Sequence, residues 1–449
     1  MKITPLLLGA LLSAPLPTLA DESDIDIATA EATPLETVVV TADKIPQTLE
    51  NTLASMIVIS RAEIARSQAA DLAGLLRFHA GLNIAQTGGP GQTATLFLRG
   101  TESNHVLVLI DGVEINPATV GGAPFAQIDP DMIERIEIVK GPRSALYGSE
   151  AIGGVINIIT RKGSDGINVT AHIGGGSFGT AEAGVGFRYG DADTRAGISV
   201  NHDSTEGFPP KVGSDLATGN ENTTVNANMA QEFGDSTLAF RHWQAVGTTH
   251  YLDFMLSKAG YEFDNRTSAL ELMSDYSTAW SSSLSLSHSH NEMQELDSPD
   301  YSITNRNVLD WQHSINAGDT HLLSGGVYLA NEEIEVSSFG SGYEPTLETR
   351  AIYLQDDMRW DSQQLELALR YSDHNTFGSH TSWNAAWGLE LSEDTRISLA
   401  AGSAYRAPDA TDLYSAFSGN PALEPETTTS FEAGLRHIVN DAAVFEINI

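Results

Sequence analysis

Apolar and polar side chains alternate along the chain from Gly163 to the C-terminus. In 365–371, Leu, Leu, Leu and Tyr alternate with Glu, Ala and Arg, and in 284–288 leucine alternates with serine. A period of two residues places the two kinds of side chain on opposite faces of an extended strand. This part of the chain therefore predicts β-strands with one apolar and one polar face.

After its N-terminus the chain contains no run of about 18 uncharged apolar residues, the minimum for a transmembrane helix. If the chain lies in a membrane, it must form a closed β-barrel, because every backbone polar group has to be paired there. Short turns are expected at 190–193, 234–235 and 393–394. They alternate with longer connections at 204–222, 249–265, 293–303, 336–346 and 405–426. This alternation is typical of outer-membrane barrels, with turns on the periplasmic side and loops outside.

The N-terminal segment 1–20 has the features of a secretory signal peptide. Lys2 precedes an uncharged apolar stretch, which ends in small residues at Ala20 and is followed by acidic residues. Residues 21–44 are interpreted as an extended periplasmic linker, since 21–35 contain acidic residues but no basic or aromatic side chain. Within the linker, the ETVVVTA segment at 36–42 taken alone favours a first strand of the following domain.

Residues 45–163 predict a compact α+β domain. Ser60 and Glu63 have the spacing of a helix capping box. A second helix is expected to begin near Asp71 and to end at Gly81, with glycine in the left-handed conformation just after the helix. MIVIS at 56–60 reads as a strand ahead of the helices. The strands ATLFLRG, HVLVLIDG, ERIEIVKG and GVINIIT then predict a four-strand mixed sheet.

The composition excludes several classes of function. The formal net charge is −35, with 24 Lys and Arg against 59 Asp and Glu, so nucleic acid is excluded as a partner. Cys is 0, which removes disulfide scaffolds and thiol chemistry. The Gly174, Gly176, Gly179 pattern resembles a dinucleotide fingerprint but has no helix after it, so we expect a hairpin turn. His288 and His290 lack a third metal ligand. We therefore predict neither an enzyme nor a metal site from these motifs.

The segment VKGPRSALYGSEAIGGVINIIT at 139–160, which follows HVLVLIDGVEIN, resembles the plug domain of TonB-dependent outer-membrane receptors. The resemblance implies energy-coupled active import across the outer membrane of a Gram-negative cell, with TonB as the periplasmic partner. It also changes the interpretation of 36–42, which is similar to the family's energy-coupling box. The residues of this predicted TonB box are Glu36, Thr37, Val38, Val39, Val40, Thr41 and Ala42.

Within this family, two segments resemble the cobalamin (vitamin B12) receptors, namely 82–116 and 404–426. The resemblance implies ligand contacts at the plug apex, where the matching positions are Gln92, Thr101, Thr119 and Val120. Ala94 departs from the hydroxyl residue expected nearby. A ferric-siderophore receptor remains the alternative within the class. A passive porin or adhesin barrel is the alternative outside it, although such a pore needs neither plug nor coupling box.

The resemblance also implies a possible calcium site, because cobalamin receptors of this type bind calcium through acidic extracellular loops. The corresponding loop at 203–222 offers Asp203, Asp215 and Glu221, dispersed among glycine and asparagine. Six to eight oxygen ligands, as calcium requires, would need a denser pattern of acidic residues. Calcium in the extracellular loops is thus an option that the residues themselves do not favour.

The expected fold is mainly β, an antiparallel transmembrane β-barrel over 164–449 around an N-terminal plug domain. At roughly 20 residues per strand and connection, this length provides only about 14 strands. Plugged lumens belong to barrels of about 22 strands. We therefore expect an incomplete barrel, with its last strand near Ile449 unpaired on one side, and an encoded protein that continues for roughly 150 residues at about 20 per strand.

Overall fold

The computed structural model describes residues 39–40, 44, 47–440 and 443–449. The predicted signal peptide and most of the linker lie outside the described residues, as does the predicted TonB box except Val39 and Val40. Within the described part, no helix is both long and apolar enough to cross a membrane.

The first half of the fold consists of short elements. The strands are β1 Val39–Val40, β2 Gln47–Thr48, β3 Met56–Ser60, β4 Leu82–Gln86, β5 Ala94–Leu98, β6 Val106–Ile110, β7 Val113–Glu114, β8 Ile133–Lys140 and β9 Gly154–Thr160. The α-helices are α1 Arg61–Ser67, α2 Leu72–Leu76 and α3 Ser144–Tyr147. Short 3-10 helices occupy Leu49–Asn51, Ser103–His105, Phe125–Gln127 and Pro130–Met132.

The plug contains a five-stranded mixed sheet in the order β3-β8-β9-β6-β7, in which only the β6–β9 pair is parallel. A mixed sheet was expected, but the prediction that ATLFL belongs to it is wrong. That segment, β5, pairs with β4 in a separate two-stranded sheet. The physical reason lies in burial: β5 is buried at alternate residues, whereas β6 and β9 are buried throughout. A strand that is buried at alternate residues packs one face against the core and leaves the other face exposed. A central strand of the mixed sheet is buried on both faces.

The predicted helix starts are confirmed. Ser60 and Glu63 form a reciprocal capping box at α1, and the Asp71 carboxylate accepts a hydrogen bond from Gly74 N at 2.6 Å. The predicted helix end is wrong. Helix α2 ends at Leu76, and Gly81 adopts its positive φ of 83° in the turn that leads into β4. The intervening residues 77–80 form turns instead of continuing the helix.

One hydrophobic core joins helices α1 and α2 of the plug to its mixed sheet and to the β4–β5 ribbon. Its fully buried side chains include Leu72, Leu76, Leu96, Leu98 and Ile136. Three residues of the surrounding strands, Trp243, Ala245 and Phe263, belong to the same core. The plug is therefore held against this part of the wall by apolar packing, which stabilises by about 25 cal/mol for each Å² of apolar surface removed from water.

The second half of the fold is a single antiparallel sheet. Its strands are β10 Gly166–Gly175, β11 Ala181–Gly190, β12 Thr194–Phe208, β13 Thr218–Phe233, β14 Ser236–Leu252, β15 Lys258–Ser277, β16 Trp280–Glu295, β17 Tyr301–Ala317, β18 His321–Ser338, β19 Ser341–Tyr343, β20 Thr346–Trp360, β21 Gln363–His374, β22 Gly378–Ser392, β23 Thr395–Arg406, β24 Glu426–Asn440 and β25 Ala443–Asn448. Helix α4, Ala410–Tyr414, lies between β23 and β24. Each long strand pairs with its sequence neighbours.

Strand length differs from the expectation. The stretch 249–265 is largely β-strand rather than loop, and strands also extend into both ends of 293–303. Strand β15 alone has 20 residues, about 66 Å at 3.3 Å per residue. Neighbouring strands continue to pair beyond the thickness of a membrane, because their ladder satisfies the backbone in water as well as in lipid. In the described residues, β10 and β25 each pair on one side only, so the strand path remains open, as expected.

The alternation of side chains defines the two faces of this sheet as predicted. In β21, Leu367 is 44% exposed on the outer face, and its neighbour Ala368 is buried against Ala145 and Leu146 of the plug. Exposed Trp280 and Trp360 lie beside the short turns. Aromatic girdles of this kind mark the interfaces of a membrane-spanning barrel. The predicted hairpin at 176–180 and the turn at 234–235 are also confirmed.

Candidate functional site

The apex loop of the plug, residues 116–122, is held by one buried asparagine. The side-chain oxygen of Asn116 accepts a hydrogen bond from Val108 N at 2.8 Å. Its side-chain nitrogen donates to Val106 O at 3.0 Å and to Gly121 O at 2.6 Å. Buried polar groups that are fully hydrogen-bonded fix a local conformation, because any other conformation leaves them unpaired. Asn116 therefore orders the loop that carries the predicted ligand residues Thr119 and Val120.

The apex loop is joined to the long connection between β23 and β24. Ala410 N donates to Ala118 O at 2.9 Å, and Thr411 N donates to Thr119 O at 3.1 Å. Thr119 is thereby buried at 4% exposure, whereas the Val120 side chain stays 54% exposed. Of these two predicted ligand residues, only Val120 presents its side chain to the outside.

A cluster of charges anchors the same connection. The buried Arg406 guanidinium contacts Asp409 at 2.9 Å, Asp412 at 3.3 Å and Glu426 at 2.9 Å. His105 of the plug lies 3.1 Å from the Glu426 carboxylate. Burial raises the pKa of Asp409 to about 6, although its backbone hydrogen bond and Arg406 act in the opposite direction. The plug apex and this connection are therefore joined by hydrogen bonds and by the contact of His105 with Glu426.

The other two predicted ligand residues lie elsewhere on the plug. Gln92 is buried, and its side-chain amide donates to His250 O of β14 at 2.6 Å. Thr101 donates its hydroxyl to Leu98 O at 2.7 Å and lies against Gly153. Gln92 thus contacts a different part of the wall from Thr119, and the structure does not bring all four predicted residues together.

Two aromatic pairs at the loop ends were missed by the sequence interpretation. Phe339 and Phe417 form an edge-to-face pair with ring centroids 5.6 Å apart, and their side chains are 78% and 73% exposed. Tyr343 and Tyr414 lie 5.9 Å apart beside α4. Aromatic residues in connections were the available signal, but their pairing depends on which strands become neighbours. Exposed aromatic rings of this kind offer a large contact area for a binding partner.

The opposite end of the plug holds the start of the described chain. Val39 and Val40 pair with Thr48 and Gln47 in the β1–β2 hairpin. The Arg359 guanidinium of β20 donates to the Gln47 side chain at 3.1 Å. The predicted coupling segment is therefore extended where it is described, and the residues that follow it are bound to the wall.

Lys44 adds an ion pair to the contacts with the wall. Its ammonium group lies 2.7 Å from the Asp310 carboxylate of β17 and 4.7 Å from the centre of the Tyr353 ring. The rings of Tyr147 and Tyr328 lie 5.5 and 5.8 Å away. Burial lowers the pKa of Lys44, while Asp310 acts in the opposite direction. An ion pair and three aromatic faces thus hold the segment after the predicted TonB box in the lumen.

We expect Lys44→Ala to release the segment that precedes it. Removal of one partner from a buried ion pair typically costs about 3–5 kcal/mol, so labelling of a cysteine placed at Val39 should accelerate at least about tenfold. The chain has no native cysteine, which makes the maleimide labelling rate a clean measurement. Arg61→Ala is the control, because Arg61 pairs with Asp131 within the plug. An unchanged labelling rate in Lys44→Ala would contradict the assigned role.

A second ion cluster lies between the plug and β17. Arg306 contacts Glu114 at 2.9 Å, also pairs with Glu332, and donates to Asn116 O at 3.0 Å. Burial raises the pKa of Glu114 to about 7, with Arg306 opposing this shift and Glu332 adding to it. Burial and the neighbouring Glu114 also raise the pKa of Glu150. The cluster connects the apex loop, through Asn116, to the short edge strand β7.

Two of the acidic residues considered for calcium, Asp203 and Glu221, do not point toward one common site. Asp203 lies opposite Asn222, whose side chain faces the plug and donates to Gln127 O. Glu221 is the neighbour of Asn222 on the same strand and is exposed on the opposite face. Among the described residues, no group of three or more His, Asp or Glu side chains is placed to hold a metal ion. Calcium in the extracellular loops, which the residues did not favour, stays untested.

Two family models match the chain. A TonB-dependent receptor plug domain model matches residues 48–155, and a TonB dependent receptor-like β-barrel model matches residues 166–449. The plug model ends at the start of β9, and the barrel model begins at the first residue of β10.

Two curated relatives cover nearly the whole chain. The vitamin B12 transporter BtuB of Photobacterium profundum is 32% identical over 440 residues, which cover 93% of this chain and 68% of the relative. The vitamin B12 transporter BtuB of Vibrio vulnificus is 30% identical over 417 residues, which cover 89% of this chain and 67% of the relative.

Solved structures share the fold at low sequence identity. A double mutant of the ferric enterobactin receptor PfeA from Pseudomonas aeruginosa superimposes with a TM-score of 0.77 at 17% identity, covering 92% of this chain and 72% of that one. The siderophore receptor PirA from Acinetobacter baumannii gives 0.72 at 19% identity, covering 88% and 69%. The predicted plug-and-barrel fold and the prediction of a non-enzymatic protein are confirmed. The chain belongs to the TonB-dependent receptors, a family of outer-membrane transport proteins.

Proposed function

We propose that this receptor imports cobalamin across the outer membrane, with energy supplied by TonB through residues 36–42. The observation that carries the proposal is the 32% identity to a vitamin B12 transporter over 93% of the chain. The solved siderophore receptors match at 15–19% identity, which supports the shared fold but not a shared ligand. A ferric siderophore is therefore the second candidate ligand.

The proposed transport cycle begins with ligand binding at the extracellular end of the receptor. Cobalamin contacts Val120 and the exposed aromatic rings Phe339 and Phe417, which lie on the apex loop and on the two connections around it. Because the apex loop is hydrogen-bonded to α4, ligand binding favours one arrangement of both loops. The TonB box then adds as a strand to a sheet edge of TonB, and its displacement remodels the plug.

The proposed location in the outer membrane follows from the same family assignment. Residues 1–20 act as a cleaved signal peptide that directs export. The outward leucines of the sheet contact outer-membrane lipid, flanked by tryptophans at the interface. A passive pore is disfavoured, because a plug that fills the lumen blocks diffusion.

We expect cells that carry the receptor to bind radiolabelled cyanocobalamin saturably and to accumulate it only when TonB is present. Ferric enterobactin is the comparison ligand, since the solved structures with this fold include receptors for it. Binding of cyanocobalamin that excess ferric enterobactin does not displace supports the proposal. Binding of the ferric chelate alone would refute cobalamin as the ligand.

A further inference from the structure

A small cavity lies between the plug and strands β10 to β13 of the wall. The plug contributes Arg61 and Asp131, the connection that follows β9 contributes Arg161, and β11 contributes Arg188. The volume of the cavity is about 210 Å³. Sites for drug-sized ligands occupy about 300–1,000 Å³, so this cavity has room for a small ligand only.

The cavity concentrates positive charge in a strongly acidic chain. Its lining contains three arginines, Arg61, Arg161 and Arg188, and among the lining residues that the structure describes Asp131 is the one carboxylate. In the chain as a whole the ratio is the reverse, with 59 Asp and Glu against 24 Lys and Arg. An excess of positive charge in a concave, partly desolvated site attracts anions. The lining therefore favours an anionic ligand.

Contacts within the chain neutralise one of the three arginines. The Asp131 carboxylate lies 3.1 Å from the Arg61 guanidinium, which also donates a hydrogen bond to Pro130 O at 3.0 Å. The Arg188 guanidinium donates to the side-chain oxygen of Asn168 at 2.8 Å. Asn168 is neutral, so this bond orients Arg188 without balancing its charge. Two positive charges of the lining remain available to a ligand.

Arg161 carries a buried donor that has no acceptor. Its Nε is shielded from solvent, and no group among the described residues accepts a hydrogen bond from it. Burial lowers the pKa of Arg161, and the neighbouring charges of Arg188 and Arg61 lower it further, whereas Glu134 and Asp131 act in the opposite direction. A buried donor without a partner is destabilising, and more so when the group is charged. An acceptor from outside the chain would remove this destabilisation.

Neutral donors and a glycine complete the cavity. Thr170 and Ser199 line it with hydroxyl groups and Asn226 lines it with an amide, all from strands of the wall. Gly186 leaves the space open, because a Cβ at this position would lie 2.8 Å from the Thr170 hydroxyl oxygen. Hydroxyl and amide groups donate hydrogen bonds, and guanidinium groups bind oxyanions through two parallel bonds. This set of donors suits a compact oxyanion such as phosphate, whose oxygens accept from several directions.

We propose that this cavity binds a phosphate-type oxyanion, which bridges Arg161 at the end of the plug to Arg188 and Thr170 of the wall. The site is separate from the apex loop, so the proposal does not depend on the identity of the imported ligand. Asn201 also lines the cavity, and its side chain donates to the Asp129 carboxylate of the plug at 2.5 Å. The cavity therefore lies on the lumen face of the wall, which favours a free anion over the head group of a membrane lipid.

The test measures the binding of inorganic phosphate to the intact receptor, purified from outer membranes in phosphate-free detergent solution. Titration calorimetry at constant ionic strength is the readout, because salt screens exposed charges. We expect one saturable site. Arg161→Gln should raise its Kd at least about tenfold, equivalent to about 1.4 kcal/mol, and Arg188→Gln should do the same from the side of the wall.

Arg195→Gln is the matched control. Arg195 lies on β12 outside the cavity lining, and its side chain is 60% exposed at 3.8 Å from Asp165. This variant removes the same charge from the same end of the wall, so it should bind phosphate with the Kd of the unmodified receptor. Heat-modifiability in outer membranes checks the folding of each variant. If Arg161→Gln does not assemble, the comparison of Arg188→Gln with Arg195→Gln decides.

A second titration separates the two sources of a phosphate group. Dihexanoylphosphatidylglycerol, a short-chain lipid, replaces inorganic phosphate in the same experiment. Saturable binding of phosphate that is weakened by Arg161→Gln and Arg188→Gln but not by Arg195→Gln supports the site. Binding of the lipid alone would overturn the assignment to a free anion. Absence of saturable phosphate binding, or an equal Kd in all three variants, would overturn the site itself.

Discussion

Replacement of Val39 by proline is expected to abolish energy-dependent uptake and to leave ligand binding at the cell surface intact. Proline removes a backbone donor from an extended segment and cannot take its place in a strand ladder. Loss of one or two main-chain hydrogen bonds, each worth about 0.5–1.5 kcal/mol, weakens strand addition to TonB by about tenfold or more. Val39 lies in β1, at the opposite end of the plug from the apex loop.

Val39→Thr is the matched control, since threonine is β-branched like valine and retains the backbone donor. It should transport normally. The measurement compares uptake and surface binding of radiolabelled cyanocobalamin in the same cells. If Val39→Pro lost binding together with uptake, the segment would contribute to the plug fold rather than to coupling.

Replacement of Leu286 by arginine is expected to prevent assembly of the receptor in the outer membrane. The Leu286 side chain is 48% exposed on the outer face of β16, six residues from Trp280 at the short-turn end. This position is near the middle of the hydrocarbon layer, where arginine costs about 2–4 kcal/mol. The measurement is the amount of heat-modifiable receptor in purified outer membranes.

Ser285→Arg provides the control on the same strand. Its side chain faces a cavity in the lumen, between Glu271 and Asp310, so an arginine there would find carboxylate partners. We expect this variant to assemble in normal amounts. Equal assembly of both arginine variants would show that the two faces of the sheet are reversed.

A comparison of Leu367→Arg with a substitution at Ala368 would be less informative. The alternation alone suggests Ala368 as a tolerant lumen position. In the structure Ala368 packs against Ala145 and Leu146, so a larger side chain would also collide with the plug. Periodicity therefore predicts the face of a side chain correctly, but not what occupies the space in front of it.

The sequence determined the elements that depend on neighbouring residues. Alternating side chains defined the faces of β16 and β21, and the Ser60 and Glu63 pair defined the start of α1. These features follow from backbone geometry over two to four residues, so no distant contact is needed to form them. The motif at 139–160 identified the family for the same reason, because a motif is read from consecutive residues.

Only the tertiary structure decided which distant segments meet. Lys44 and Asp310 are separated by 266 residues, and their contact depends on how the plug sits inside the sheet. The burial of Gln92 and Thr119, the pairing of β5 with β4 outside the main sheet and the length of β15 have the same origin. Each of these features depends on which of several possible partners a strand or side chain meets in the folded chain. A local pattern of residues carries no information about those distant partners.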